Sequence, residues 1–427
     1  MTDGSILQGE WNLSADGKES MVMEKKLYPL RFVPIASPRV WGGNALINRL
    51  GKRFVIVDED GNEVELTSDD CIGESWELAD MGFEDSVVSE GWLAGNTISE
   101  VMETYLERVV GEPVYNYFGR QFPVLLKFLD IQGKLSVQVH PDDEMAAERY
   151  DSLGKSEMWY VVDAAPGSKV YVGFNRDMTA QELYDRCQNG TVDEVLNVIH
   201  PKKGDVIFMT PGTVHSAEGG LLIAEIQESS DLNFRLYDWG REHDPVTARP
   251  MHLEEAIDLI DYSKFDGSKY RKGPMWHDEG CHCHEDECHC HEHEGHEHEV
   301  AEVLVETPQF NVTKIALKDS LHIYTDKFES YIVYMCIEGE ASVQVPSSEE
   351  GVGEHMERYV IKAGETLLIP AEMPDFYLVP HDRSTVLLEI VTRPAEEEDS
   401  YIDPDTEAFL EGEDYEGIEE DDYAGED

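Results

Sequence analysis

Gln138 and His140 stand two apart in the alternating stretch SVQVH. On a strand, residues i and i+2 face the same side, so both side chains can enter one barrel. Glu157 immediately precedes the apolar run MWYVV, and His215 follows Pro211 by four residues in PGTVHS, where a turn would feed the next strand. One amide, two imidazoles and one carboxylate on neighbouring strands make a site for a divalent metal. A nitrogen–oxygen set without thiolate suits Zn²⁺ and also admits Mn²⁺, Fe²⁺ or Co²⁺. Each residue alone is more often a hydrogen-bonded structural residue than a ligand. The joint spacing, Q-x-H, then Glu, then G-D-x5-P-G-x-x-H, is what singles the set out.

The elements that must position these residues are mostly short strands. Ordered sequence is expected from Leu27, and the runs FPVLLKFLDI, KLSVQVH, EMWYVVD, KVYVGF, DVIFMT and LLIAEIQ all read as β. Two segments read as helices: 98–110 (ISEVMETYLERVV), and 179–199, as two short helices broken at Asn189-Gly190. A weak internal repeat is visible. Glu157 precedes Gly167 by ten residues and Gly204 opens GDVIFMTP; Glu329 precedes Gly339 by ten and Gly364 opens GETLLIP. Two β-barrels or jelly rolls in tandem are the simplest expectation, giving a mainly β fold with a few short helices. SVQVH (136–140) also resembles SVQVP (342–346), but that register leaves the Gly and Pro positions unmatched. In the second half, Pro370 plus four is Pro374, which cannot ligate, so that barrel is expected to be metal-free and structural.

Charge sets further bounds. The chain of 427 residues carries 33 Lys+Arg against 90 Asp+Glu, a net charge of −57, which argues against nucleic-acid binding and against docking on anionic membranes. Residues 396–427 hold 17 acidic residues and no Lys or Arg, the composition of a disordered acidic tail. Residues 277–299 are a His/Cys-rich low-complexity insertion, with Cys281, Cys283, Cys288 and Cys290 interleaved with histidines. It lacks zinc-finger spacing, and incidental or buffering capture of extra divalent metal is the expectation. The remaining cysteines, Cys71, Cys187 and Cys336, are scattered, which fits a reducing cytoplasmic setting. No run is long and apolar enough for a membrane span. The expected organisation is a flexible arm at 1–26, a catalytic metal-binding domain at 27–276, the insertion at 277–299, a second barrel at 300–395 and the tail at 396–427.

The Q-x-H…E…H spacing is that of a metal cupin. The segments FPVLLKFLDIQGKLSVQVHPDD (122–143), GKSEMWYV (154–161), PGTVHS (211–216) and DLNFRLYDWGR (231–241) resemble the core motifs of type I mannose-6-phosphate isomerases. The resemblance is firm over about residues 27–276 and looser in the second barrel. It implies one zinc per catalytic domain, held at Gln138, His140, Glu157 and His215. It also implies an essential arginine at Arg235, a lysine at Lys155 and an acidic strand residue at Glu225, with phosphate-side residues at Lys127, Ser136 and Arg241. SPRVWGGNAL (37–46) and GESWELAD (73–80) fit the family's opening strands as well; barrel packing accounts equally well for Trp41, Gly42, Glu74 and Trp76, and no role is assigned to them.

The chemistry so implied is interconversion of mannose 6-phosphate and fructose 6-phosphate through a cis-enediol. Such a reaction needs a cation to stabilise developing oxyanion charge and a base of tuned pKa. Zn²⁺ and the permanently charged Arg235 can supply the first. Lys155 and Glu225 both remain contenders for the second. Lys127, in the apolar run VLLKFLD, needs a partner if it points inward, whereas Ser136 could be simply a small strand residue and Arg241 a solvated loop arginine. The rivals are another metal-cupin enzyme, such as an Fe²⁺ dioxygenase or a different sugar isomerase, and a non-catalytic sugar-phosphate or metal-sensing protein. Dioxygenase chemistry has no need of four cationic side chains around one pocket. A sensor would depend on 277–299, and an isomerase would keep its turnover without it.

Overall fold

Residues 124–131 (VLLKFLDI) are buried at every position, which a strand tolerates only where both faces of its sheet are covered. In the computed structural model this strand lies inside a seven-stranded antiparallel sheet in the order 270–271, 206–209, 157–164, 221–228, 124–131, 72–78 and 35–43. The structure describes residues 11–13, 19–21, 25–58, 61–246, 248–268, 270–271, 301–346 and 355–394. The readings placed on the His/Cys insertion and the acidic tail lie outside the described residues, as does most of the N-terminal arm, where Trp11–Leu13 pairs antiparallel with Glu19–Met21.

A five-stranded sheet, ordered 196–199, 169–174, 215–218, 137–139 and 234–237, closes the first jelly roll. Alternation decides what each strand buries. Trp159, Val161, Ile207 and Ile223 from the large sheet meet Val170, Val172 and Ala217 from the small one inside the barrel. Val137, Val139, Phe234 and Leu236 point the other way, into a cluster with Leu183, Cys187 and Leu253 from the covering helices. That parity leaves Gln138 and Arg235 to face inward.

Helix Ile98–Tyr105 starts at a capping box between Thr97 and Glu100 but stops at Leu106, whose φ is 51°; a separate turn, Glu107–Val110, follows. In the 179–199 segment only the first expected helix forms, Ala180–Asn189, ended by Gly190 in the left-handed region. The second gives way to a 3-10 turn at Val192–Glu194 and a strand, Leu196–Ile199, because residues 196–199 find a partner in the 169–174 strand. Tertiary pairing here overrides a spacing that also fits a helix.

The nine strands of the second jelly roll repeat the order of nine in the first, whose strands at 35–43, 234–237 and 270–271 have no counterpart. The sheets of the second roll run 301–306, 311–317, 385–391, 332–338, 366–369 and 321–323, 376–380, 340–346, 356–362. The Gly-acidic turns coincide, since Val206 pairs with Tyr160 and Thr366 with Met335. The repeat read from Glu157 and Glu329 does not: by register the counterpart of Glu157 is Ile332. The offset arises because Glu338-Gly339-Glu340 is a tight turn, whereas four residues separate Ala164 from Lys169. Where Gln138 pairs with His215, the second barrel pairs Leu321 with Leu378 and Ile323 with Phe376, and all four pack into its interior.

The two rolls share one core. Phe128, Met158, Tyr160 and Ala224 on the back of the first large sheet cluster with Val312, Val333, Met335 and Leu388 of the second. Leu30 bridges Leu368, and Tyr331 and Ala371 donate backbone N–H groups to Val110 and Val109. Gly111 is required at this seam: its φ is +90°, and a Cβ would stand 2.4 Å from the Glu329 carbonyl oxygen.

Candidate active site

The inward faces of the first barrel bring the expected residues together. Backbone register sets His215 opposite Gln138, Gln138 opposite Arg235, and Glu225 between Lys127 and Trp159. Residues so paired hold their Cβ atoms within about 5.5 Å. His140 follows the same strand, and Glu157 opens the next.

His140, Glu157 and His215 form the one cluster among the described residues whose side-chain donors could hold a metal, all within 4.8 Å of one another. The Nδ1 atoms are committed: His140 to the Leu232 carbonyl at 3.0 Å and His215 to the Thr213 carbonyl at 2.9 Å. A carbonyl accepts only, so each Nδ1 carries the proton and each Nε2 presents a lone pair. Those lone pairs face the Glu157 carboxylate at 3.3 and 3.0 Å. Both Glu157 oxygens and the His140 Nε2 are buried without a hydrogen-bond partner. Acceptors turned on acceptors in a dry site need a cation between them. The donor set therefore fits a divalent metal, and the two imidazoles with one carboxylate suit zinc chemistry.

Electrostatics agree. Burial and then the Lys155 ammonium push the His140 imidazole down to about 3, so it stays neutral, as a ligand must. Burial would raise the Glu157 pKa, but the two imidazoles and Lys155, whose Nζ lies 3.5 Å from Oε2, hold it well below the ordinary carboxylate value.

Gln138 joins the cluster through its amide. As oriented, Nε2 faces His215 Nε2 at 3.1 Å, while Oε1 accepts from Asn233 at 2.8 Å and from the Ser136 hydroxyl at 3.3 Å. The Asn233 oxygen is buried and unpartnered. Turning both amides together keeps their mutual hydrogen bond and presents the Gln138 oxygen to the cluster, because the N and O ends of an amide have nearly the same shape.

Above the cluster lies a cavity of about 320 Å³, lined among others by Lys127, Ser136, Lys155, Trp159, Glu225 and Arg235. Lys127 has the partners its apolar strand demands: Gln227 Oε1 at 2.9 Å and Glu225 Oε2 at 3.4 Å. Desolvation works to lower its pKa, but Glu225 and Glu74 outweigh it and raise the value. The Glu225 carboxyl is pushed up, by burial first, and accepts the Trp159 indole N–H at 2.8 Å. Arg235 donates Nη1 to the Pro250 carbonyl at 2.6 Å; burial and then Arg249 bring it down to about 10.

Arg241 does not reach this cavity. Its Nη2 donates to Asp238 at 2.6 Å and to the Lys134 carbonyl at 2.8 Å, outside the lining. Several residues that do line it escaped the sequence reading: Arg39, Arg249, Asn233 and Trp159. Arg39 and Glu74 form a two-point pair at 2.8 and 3.3 Å in the opening strands, where both lay inside recognised motifs. Burial acts to raise the Glu74 pKa, and Lys127 and Arg39 carry it down to about 2. Arg249 lies in a loop after the last matched motif, so nothing in its spacing pointed to the pocket.

This arrangement has relatives. Residues 31–163 match the family model for the catalytic domain of type I phosphomannose isomerase. The mannose-6-phosphate isomerase ManA of Bacillus subtilis is 31% identical over 351 residues, covering 82% of this chain and 95% of that protein. The chain belongs to the type I phosphomannose isomerase family. The mannose-6-phosphate isomerase of Streptococcus mutans is 29% identical over 333 residues, 78% of this chain and 89% of that one. Among solved structures, the mannose 6-phosphate isomerase from Bacillus subtilis superposes with a TM-score of 0.66 at 25% identity, covering 85% of this chain and 99% of that chain. A single-residue variant of the Salmonella typhimurium phosphomannose isomerase reaches a TM-score of 0.60 over 86% of this chain and 99% of its own; at 14% identity it speaks to the fold alone. Membership matches the mainly β tandem jelly-roll fold, and no helix among the described residues is long and apolar enough to cross a membrane.

Proposed function

We propose that this protein interconverts mannose 6-phosphate and fructose 6-phosphate with one zinc ion, in the cytoplasm. The observation that carries the proposal is the orphaned Glu157 carboxylate facing two imidazole lone pairs beneath a cationic cavity. His140, Glu157 and His215, with Gln138 after its amide turns, would hold the ion. When bound, it would polarise the C1 and C2 oxygens of the open-chain sugar and stabilise negative charge on them.

The chain's own residues supply the rest. Glu225 is the base we assign: it lines the cavity, its carboxyl is raised by burial, and Trp159 fixes Oε1 while Oε2 stands 3.4 Å from the Lys127 ammonium. It takes the proton from C2 of the aldose and returns it to C1, through a cis-enediol. A raised carboxyl pKa brings the base nearer the working pH. Lys155 stands beside Glu157 and is placed to donate to a substrate hydroxyl. Arg235, with Nε buried and unpartnered, offers a charged donor for the enediolate oxygen. Lys127 and Ser136 line the same space and are read as substrate contacts. Five cationic against three anionic side chains border the cavity of a strongly acidic protein, a local surplus that suits a sugar phosphate and not a neutral sugar.

A coupled assay on mannose 6-phosphate tests this, before and after chelation and with zinc restored. Turnover that disappears with chelator and returns with zinc is the expected result. A folded, zinc-loaded protein without turnover would overturn the proposal.

A further inference from the structure

Arg249 and Arg241 share one buried carboxylate. Asp238 is fully buried, and it accepts Nε and Nη2 of Arg249 at 3.1 and 2.6 Å while also accepting Nη2 of Arg241 at 2.6 Å. The two guanidiniums differ in where they stand. Arg241 gives Nη2 to both Asp238 and the Lys134 carbonyl, keeps its Nε buried without a partner, and stands off the cavity. Arg249 borders the cavity, and its Nη1 has no hydrogen-bond partner among the described residues.

We propose that Arg249, aligned by Asp238, is the arginine that receives the substrate's phosphoryl group, in place of Arg241. The inference rests on the sugar-phosphate reading of this site and names a contact that reading lacked.

Charge points the same way. Among the described residues the Arg235 guanidinium bonds the Pro250 carbonyl alone, and Asp238 is the one carboxylate paired with Arg241 and Arg249. The rim carboxylate Asp231 acts instead on Arg39 and Lys127. Mutual repulsion among the three arginines shows in the lowered Arg235 value, where Arg249 is the largest contribution after burial. A phosphate dianion relieves that repulsion, and the outer edge of a guanidinium already held by a carboxylate is preset for it. The backbone is equally fixed. His252 exchanges hydrogen bonds with Arg235, its N–H to the Arg235 carbonyl and its Nδ1 from the Arg235 N–H, and Pro250 accepts from the Arg235 guanidinium. The segment that carries Arg249 therefore also braces Arg235.

The test uses the full-length, zinc-loaded chain and its Arg249→Ala and Arg249→Lys variants. Inorganic phosphate is titrated calorimetrically, and mannose 6-phosphate kinetics are run in parallel. Arg249→Ala should weaken phosphate binding and raise KM about tenfold or more, with kcat within about threefold; Arg249→Lys should fall between, keeping the charge but losing the fork. A purely structural clamp predicts the reverse split, a fall in kcat with KM and phosphate binding unchanged. That result, or wild-type protein that takes no phosphate, overturns the inference. The titration needs no turnover, so wild-type protein that binds phosphate through Arg249 yet leaves mannose 6-phosphate untouched would refute the isomerase reading alone.

Discussion

The indole N–H of Trp159 donates to Oε1 of Glu225 at 2.8 Å, and the same register of the second barrel holds Tyr334, whose hydroxyl donates to Oε2 of Glu389 at 2.8 Å. A carboxylate braced by an aromatic donor thus sits inside each jelly roll. What differs is its other neighbour. Lys127 lies across from Glu225, whereas Thr313 lies across from Glu389. The first carboxylate therefore borders a cationic cavity, and the second is a half-buried partner of its tyrosine.

Trp159→Phe keeps an aromatic ring but removes the donor. Glu225 already has a raised pKa from burial, and losing a hydrogen bond to its ionised form raises it further. The acid limb of the kcat–pH profile should move up by about one unit, with kcat near neutrality down by about tenfold. An acid limb that stays in place in a folded variant would remove Glu225 from the role of base.

Much of this site was legible because β structure has a period of two. Ser136, Gln138 and His140 share a face in any strand, and the apolar run around Lys127 announced a lysine in need of partners. Two kinds of information were not available. Loop residues such as Arg249 carry no periodicity, so their approach to the cavity depends on how the loop packs. The internal repeat was visible, but its register at Glu157 was not, because hairpin length between repeats changes without leaving a mark in the flanking strands. The same limit applies at 192–199, where apolar spacing suits a helix and a strand alike until the partner strand is known.

Metal binding should be visible as stability. Adding zinc to chelator-treated protein relieves the opposed lone pairs of His140, His215 and Glu157 and binds only the folded state, so the melting temperature should rise by several degrees. His215→Ala and Glu157→Gln should lose most of that rise and weaken zinc about a hundredfold against a chromophoric chelator. An undiminished rise in both variants would place the metal elsewhere in the chain.

Lys52 ties the barrels together from a buried position. Its ammonium bonds Glu77 at 2.6 Å and the Gly364 carbonyl of the second roll, 6% exposed on each side of the ion pair. Lys52→Met strands Glu77 and should cost about 3–5 kcal/mol. Lys52→Met with Glu77→Leu should recover a good part of that loss, because the buried charge goes with its partner. Denaturant melts of the three proteins give the comparison. Equal stability of wild type and Lys52→Met would mean that water reaches Glu77.

Glu228 makes stability depend on pH in the neutral range. Burial first, and then Asp143 facing it, raise its carboxyl to about 7, although it accepts the Ser156 N–H at 2.7 Å. A folded-state pKa above the unfolded one means the folded protein binds the proton more tightly. The contribution of this group is therefore complete below the unfolded value near 4.5 and is lost as pH rises through about 7. The loss is on the order of 3 kcal/mol when complete. Glu228→Gln keeps an acceptor for Ser156 and cannot ionise, so it should be more stable than wild type at pH about 8 and nearly equal to it at about 4. Melts at the two pH values read the difference directly. A stability gap that is the same at both would show that Glu228 does not change its ionisation between them.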